Sequence, residues 1–126
     1  MTQARRVRVR RVYEAARPRQ DGLRVLVDRV WPRGMKKEDA RLDEWAKQVS
    51  PSTELRKWYA HDPGRFTEFA ERYRAELAEP EAREALDRLR ERADGGTLTL
   101  LTSVKEEQLE RSHAAVLREE LGGGSG

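Results

Sequence analysis

Two short apolar runs constrain this 126-residue chain more than anything else in it: Leu23 to Val27 (LRVLV) and Thr97 to Leu101 (TLTLL). Asp21-Gly22 precedes the first and Trp31-Pro32-Arg33-Gly34 follows it, while Asp94-Gly95-Gly96 introduces the second. Runs of this length between turn signals predict buried strands. A mostly apolar strand belongs in a parallel sheet, which is covered by helices rather than wetted on one face. Val7 to Tyr13 alternates Val and Arg in its first half and predicts a third strand, at a sheet edge with one wet face.

Helical sequence fills the space between the two apolar strands. Ser50 before Pro51 and Asp62 before Pro63 predict N-caps followed by Pro at the first helical position, and Pro80 opens a third segment. Helices are predicted over 51–60, 63–78 and 80–93, with Phe66, Phe69, Ala70, Tyr73 and Leu77 forming one apolar stripe. A shorter helix is predicted over Arg41 to Val49, and a last one over Glu106 to Leu121, its apolar face carrying Leu109, His113, Val116 and Leu117. Strand, helical excursion, strand, helix is an α/β order. The expectation is a small single α/β domain with at least three strands in a mostly parallel sheet, flanked by about five helices, over residues 1–121. The remaining 122–126 read as a flexible Gly/Ser tail of a kind added in cloning.

Composition narrows the function classes. Charged residues make up 39% of the chain, and no uncharged run approaches the roughly 20 apolar residues of a membrane-spanning helix. A cytoplasmic location with no membrane partner is the expectation. Cysteine is absent and only His61 and His113 supply imidazole, which excludes thiolate catalysis, disulfides and Cys-based zinc sites. The net charge of +3 hides a local excess, because residues 1–19 hold seven arginines against Glu14 alone.

Ligands of open α/β sheets lie beyond the carboxyl ends of the strands, here at Asp28-Arg29 and Thr102-Ser103. The first end opens a polar cluster of Asp28, Arg29, Trp31, Arg33, Lys36 and Lys37. Guanidinium forks and ammonium groups there suit a phosphate or carboxylate. His61-Asp62 offers an imidazole beside a carboxylate, the pairing of a general acid or base, although Asp62 also suits a helix cap. No Gly-rich phosphate loop and no Gly-x-Ser-x-Gly turn is present.

The segments VLVDRVWPRG (25–34), LDEW (42–45), SPSTELRKWYAHDPGRF (50–66), FAERYRAEL (69–77), TLTLLTSVK (97–105) and SHAAVL (112–117) together resemble the YeaO-like family, a bacterial domain of unknown function. The resemblance covers residues 7–121 and implies a small cytoplasmic α/β protein. The family's characteristic polar positions fall on Asp28, Arg29, Trp31, Arg33, Trp58, His61, Asp62 and His113, and the resemblance supplies no established reaction and leaves the cofactor unknown.

The leading expectation is an enzyme or binder of a small anionic ligand, nucleotide-like or otherwise. Arg29 and Arg33 hold the anion, Trp31 or Trp58 packs its uncharged part, and His61, supported by Asp62, moves a proton. Ser103, His113 and Asp28 line the rest of the site. Other readings are a nucleic-acid-binding or regulatory module acting through the N-terminal arginines, and a metal-dependent enzyme using His61, Asp62 and His113. An interaction domain, as a homodimer with Trp45 or Trp58 at its interface, is the last.

Overall fold

A computed structural model describes residues 6–122; Arg5 of the N-terminal arginine group and residues 123–126 of the tail lie outside them. Among the described residues four strands form one all-parallel sheet in the order β1-β4-β2-β3, with β1 at Arg6–Arg11, β2 at Leu23–Leu26, β3 at Glu44–Trp45 and β4 at Thr97–Thr102. The helices are α1 (Pro18–Asp21), α2 (Lys37–Ala40), α3 (Thr53–Tyr59), α4 (Phe66–Leu77), α5 (Pro80–Ala93) and α6 (His113–Leu121). No helix among the described residues is long and apolar enough to cross a membrane.

The sheet has two unequal faces. Val7, Val9, Leu23, Val25, Leu98 and Leu100 join the main core with Leu55, Phe69, Tyr73, Leu86, Leu89 and Leu117 from the long helices. The other face holds a smaller cluster, Val12, Leu26, Ala40 and Leu101, closed by Trp31, Met35, Leu42 and Trp45. Fully burying one such Leu or Phe side chain is worth about 1.5–3 kcal/mol, so the larger core dominates stability. Tyr73, fully buried, donates its hydroxyl to the Val49 carbonyl, which satisfies the one polar atom it takes inside.

Alternation along the strands places polar residues on the second face as well. Arg24 and Thr99 are buried there, and so is Arg10 of β1. The predicted edge position of β1 holds, but its arginine face is not simply solvated. Arg10 bonds Asp21 at 2.8 Å and Arg8 donates to the Gln20 carbonyl, while Arg11, on the opposite face, donates to the Val104 carbonyl. Gly22 makes the entry into β2 possible: at φ 60° it lies where a Cβ would come within 2.2 Å of the Thr97 carbonyl oxygen.

Three segments depart from expectation, each for a tertiary reason. Residues 41–49 form β3 and a 3-10 turn at Lys47–Val49 instead of a helix. Leu42 and Trp45 have helical spacing to Val49, but they pack on the second face while Ala46 and Val49 enter the main core. Amides from both ends of the segment bond β2, Asp43 to the Arg24 carbonyl and Ala46 to that of Leu26. The N-cap of α3 is Ser52 rather than Ser50, its hydroxyl accepting from the Leu55 amide. The last helix is broken: Glu106–Arg111 is 3-10, Ser112 is extended, and α6 starts at His113.

Candidate functional site

Asp28 follows directly on β2. Trp45 holds its backbone by donating the indole N–H to the Asp28 carbonyl at 2.7 Å. Its carboxylate is buried and meets four groups. Oδ1 accepts from Thr102 Oγ1 at 2.7 Å and faces His113 Nε2 at 2.9 Å. Oδ2 accepts from the Ser103 amide and from Ser103 Oγ, both at 2.8 Å. A carboxylate offers about four acceptor positions, so all of those on Asp28 are in use. Burial pushes its pKa upward, but the bond and charge of His113 with the Ser103 and Thr102 donors outweigh it, leaving the carboxyl below its ordinary range.

The break at Ser112 delivers His113. Ser112 Oγ donates to the Leu109 carbonyl and accepts from the Ala115 amide, capping α6 and turning its first residue toward the ends of β2 and β4. Eighty-five residues separate His113 from its carboxylate partner. The imidazole also meets the Tyr73 ring edge-on at 6.4 Å between centroids.

A cleft of about 300 Å³ opens beside this pair. Among the described residues Arg29, Arg56 and Lys57 bring three cations to it, and Asp28 is its one carboxylate. Arg29 is fixed by donating to the Pro51 and Ser50 carbonyls at 3.1 and 3.3 Å, and a guanidinium with five donors has others left over. Arg56 and Lys57 lie exposed on α3, and neither side chain bonds another described residue. Val30, Pro51, Tyr59, Phe69 and Val104 supply the apolar wall.

His61 reaches the cleft through two successive left-handed residues, Ala60 at φ 45° and His61 at φ 56°. Without glycine each costs on the order of 1 kcal/mol. The turn is held by the Ala60 amide on the Arg56 carbonyl and the Asp62 amide on that of Tyr59. The ring lies 5.8 Å from that of Tyr59. Burial, then the neighbouring His113 and Arg56, hold the His61 pKa below its ordinary value of 6.5.

Of the residues singled out in the sequence, Asp28, Arg29, Ser103, His61 and His113 come together around the cleft. The others do not line it. Asp62 turns outward, accepting from the Gly64 amide and pairing with Arg65 at 3.6 Å. The imidazole–carboxylate pair that forms is therefore His113 with Asp28, not His61 with Asp62. Arg33, Lys36 and Lys37 are exposed elsewhere, the Arg33 carbonyl accepting from the Tyr13 hydroxyl. Trp31 packs edge-on against Trp45 at 5.3 Å and donates to the Met35 carbonyl. Trp58 packs against the main core beneath Arg65 and Arg72. Among the described residues no group of three His, Asp or Glu is placed to hold a metal ion, so His61, Asp62 and His113 do not form the metal triad considered above. The sequence reading missed Arg56, Lys57 and Tyr59. Their signal was position: all three stand on α3, the helix that ends at Tyr59, two residues before His61.

Fold and site define a small parallel-sheet α/β protein with a cationic cleft at the carboxyl ends of its central strands. The chain belongs to the YeaO-like family: residues 6–123 match a family model described as "Inactive DUF488-N3 subclade". It is 49% identical over 123 residues to the uncharacterized protein Rv3073c of Mycobacterium tuberculosis, covering 98% of this chain and 99% of that one. It is equally similar to the uncharacterized protein Mb3100c of Mycobacterium bovis, at 49% identity over the same span. With the uncharacterized protein YeaO of Escherichia coli it shares 45% identity over 115 residues, 91% of this chain and 96% of that protein. No solved structure matches the chain.

Proposed function

We propose that this protein binds a small anionic ligand in the cleft beside Asp28 and His113, and that it is a binder rather than a catalyst. The observation that carries this reading is the charge balance: three cations from two separate segments face a cleft whose one carboxylate has every acceptor position filled. An anion entering it gains charge-assisted bonds and meets no free carboxylate. A cleft of about 300 Å³ is at the small end of ligand sites.

Three features favour binding over turnover. Asp28 has no lone pair left with which to attack or to take a proton. Ser103 Oγ, a hydroxyl of a cleft-lining residue, points its hydrogen at a carboxylate held below the usual range, which is a poor base. The family description carries the word "Inactive".

Calorimetric titration with inorganic phosphate and sulfate at low ionic strength tests the reading. Saturable binding is expected, lost when Arg56 and Lys57 are both changed to Gln. Absence of binding overturns it, and so does conversion of a phosphate ester or hydroxy acid by the pure protein.

A further inference from the structure

Asp28 dictates more than charge: it sets which way its neighbours' hydrogens point. Its oxygens accept a backbone N–H and two hydroxyl hydrogens, so the bond to His113 needs its hydrogen on Nε2. In the neutral ring Nδ1 is then a bare lone pair. Nδ1 bonds no described residue, and no buried side-chain nitrogen or oxygen among the described residues lacks a partner, so it is accessible on a residue that lines the cleft. Ser103 Oγ also lines the cleft and spends its one hydrogen on Asp28, leaving lone pairs. With the His113 ring neutral, the cleft therefore presents Arg29, Arg56 and Lys57, which only donate, and His113 Nδ1 with Ser103 Oγ, which only accept, while the His61 ring offers one nitrogen of each kind.

A bare anion satisfies the first kind and offers nothing to the second. We infer that the ligand is an anion bearing a hydroxyl close to its charged group, with the charged oxygens on the cations and the hydroxyl hydrogen given to His113 Nδ1 or Ser103 Oγ. This rests on the reading of the cleft as an anion site and names its ligand class, a chemistry shared by hydroxy acids and polyol phosphates. His113 is a binding and selecting group here, without a chemical step.

Matched pairs test it by calorimetry at pH 8: glycerol 3-phosphate against n-propyl phosphate, and glycerate against propionate. The hydroxylated member of the pair with the correct anionic group is expected to bind about 5- to 30-fold tighter, one or two neutral hydrogen bonds. The pair that shows this assigns the anion as phosphate or carboxylate. Equal affinity within both pairs overturns the inference while leaving the anion site standing, and no binding by any of the four compounds overturns the anion site itself. His113→Gln keeps an N–H for Asp28 but takes away the ring acceptor at Nδ1, so it is expected to narrow the preference for the hydroxylated member of each pair; an undiminished preference overturns the role given to His113. Nitrogen NMR of the unaltered protein reads the same point without a variant. The neutral His113 ring is expected to carry its hydrogen on Nε2, with the Nδ1 resonance moved by glycerol 3-phosphate and not by n-propyl phosphate; the opposite tautomer overturns the inference.

Discussion

Two aspartates bracket β2, and the groups that meet them differ in kind. Asp21, at the strand's amino end, is wholly buried between the guanidinium groups of Arg10 and Arg24, with the Arg17 amide as a further donor. Asp28, at the carboxyl end, is met by two hydroxyls, an amide and an imidazole. Around Asp21 the donors are themselves consumed, Arg24 also bonding the Arg41 and Ala40 carbonyls and Arg10 pairing with Glu14. That end is closed. Around Asp28 the donors keep unused atoms, and those atoms line a cleft. The contrast separates a carboxylate that neutralises arginines to hold the second face of the sheet from one that orients a site.

Removing each carboxylate should break the two ends differently. Asp21→Asn leaves buried Arg24 without a counter-charge and Arg10 with Glu14 alone, and is expected to cost about 3–5 kcal/mol in urea unfolding. Asp28→Asn faces its new amide toward donors and is expected to cost about 1–3 kcal/mol, because the hydroxyls can turn to other acceptors. A reversed order would contradict the contrast. The same measurements against pH carry a sign. Both carboxyls are held below their ordinary value of 3.8: burial opposes this at each, and the Arg17, Arg10 and Arg24 donors outweigh it at Asp21, the His113, Ser103 and Thr102 donors at Asp28. The stability they contribute is thus present above about pH 4 and is lost as pH falls through the lower folded values. Each Asn variant should flatten that acid limb.

Ligand binding sharpens the comparison from the other side. Arg56→Gln is expected to weaken sulfate binding about 3- to 10-fold in calorimetry, while Arg33→Gln, outside the cleft, leaves it unchanged. The smallest effect belongs to His61. Its pKa lies below 6.5 because of burial, then the charges of His113 and Arg56, so it is neutral at pH 7 and charges only in acid. Sulfate, whose own charge is constant in this range, should bind about two- to threefold tighter at pH 5.5 than at pH 8 on this account, and His61→Gln should reduce that gain.

Much of the architecture was legible because it is local. The two apolar runs and the punctuation by Asp-Gly, Asp62-Pro63 and Pro80 announce β2, β4, α4 and α5 within a residue or three. β3 was hidden because its two residues derive their extended state from β2 alongside and from the second-face packing of Trp45, neither visible in a window of helical spacing. The site was legible one residue at a time and not as pairs. His61 and Asp62 are neighbours in sequence, but the left-handed turn at Ala60-His61 sends the imidazole to the cleft while Asp62 caps the next turn. His113 and Asp28 are joined only because Ser112 interrupts what reads as one continuous helix. Arg56 and Lys57 looked like the solvated face of α3, and their role depends on what the fold sets opposite them.

The most direct test is a crystal of the protein soaked in selenate, a sulfate analogue located by its anomalous signal. An anomalous peak within hydrogen-bond reach of Arg29 or Arg56 in the cleft beside His113 is the expected result. Selenate found only at Arg33, Lys36 and Lys37 or along β1, with the cleft empty, would contradict it.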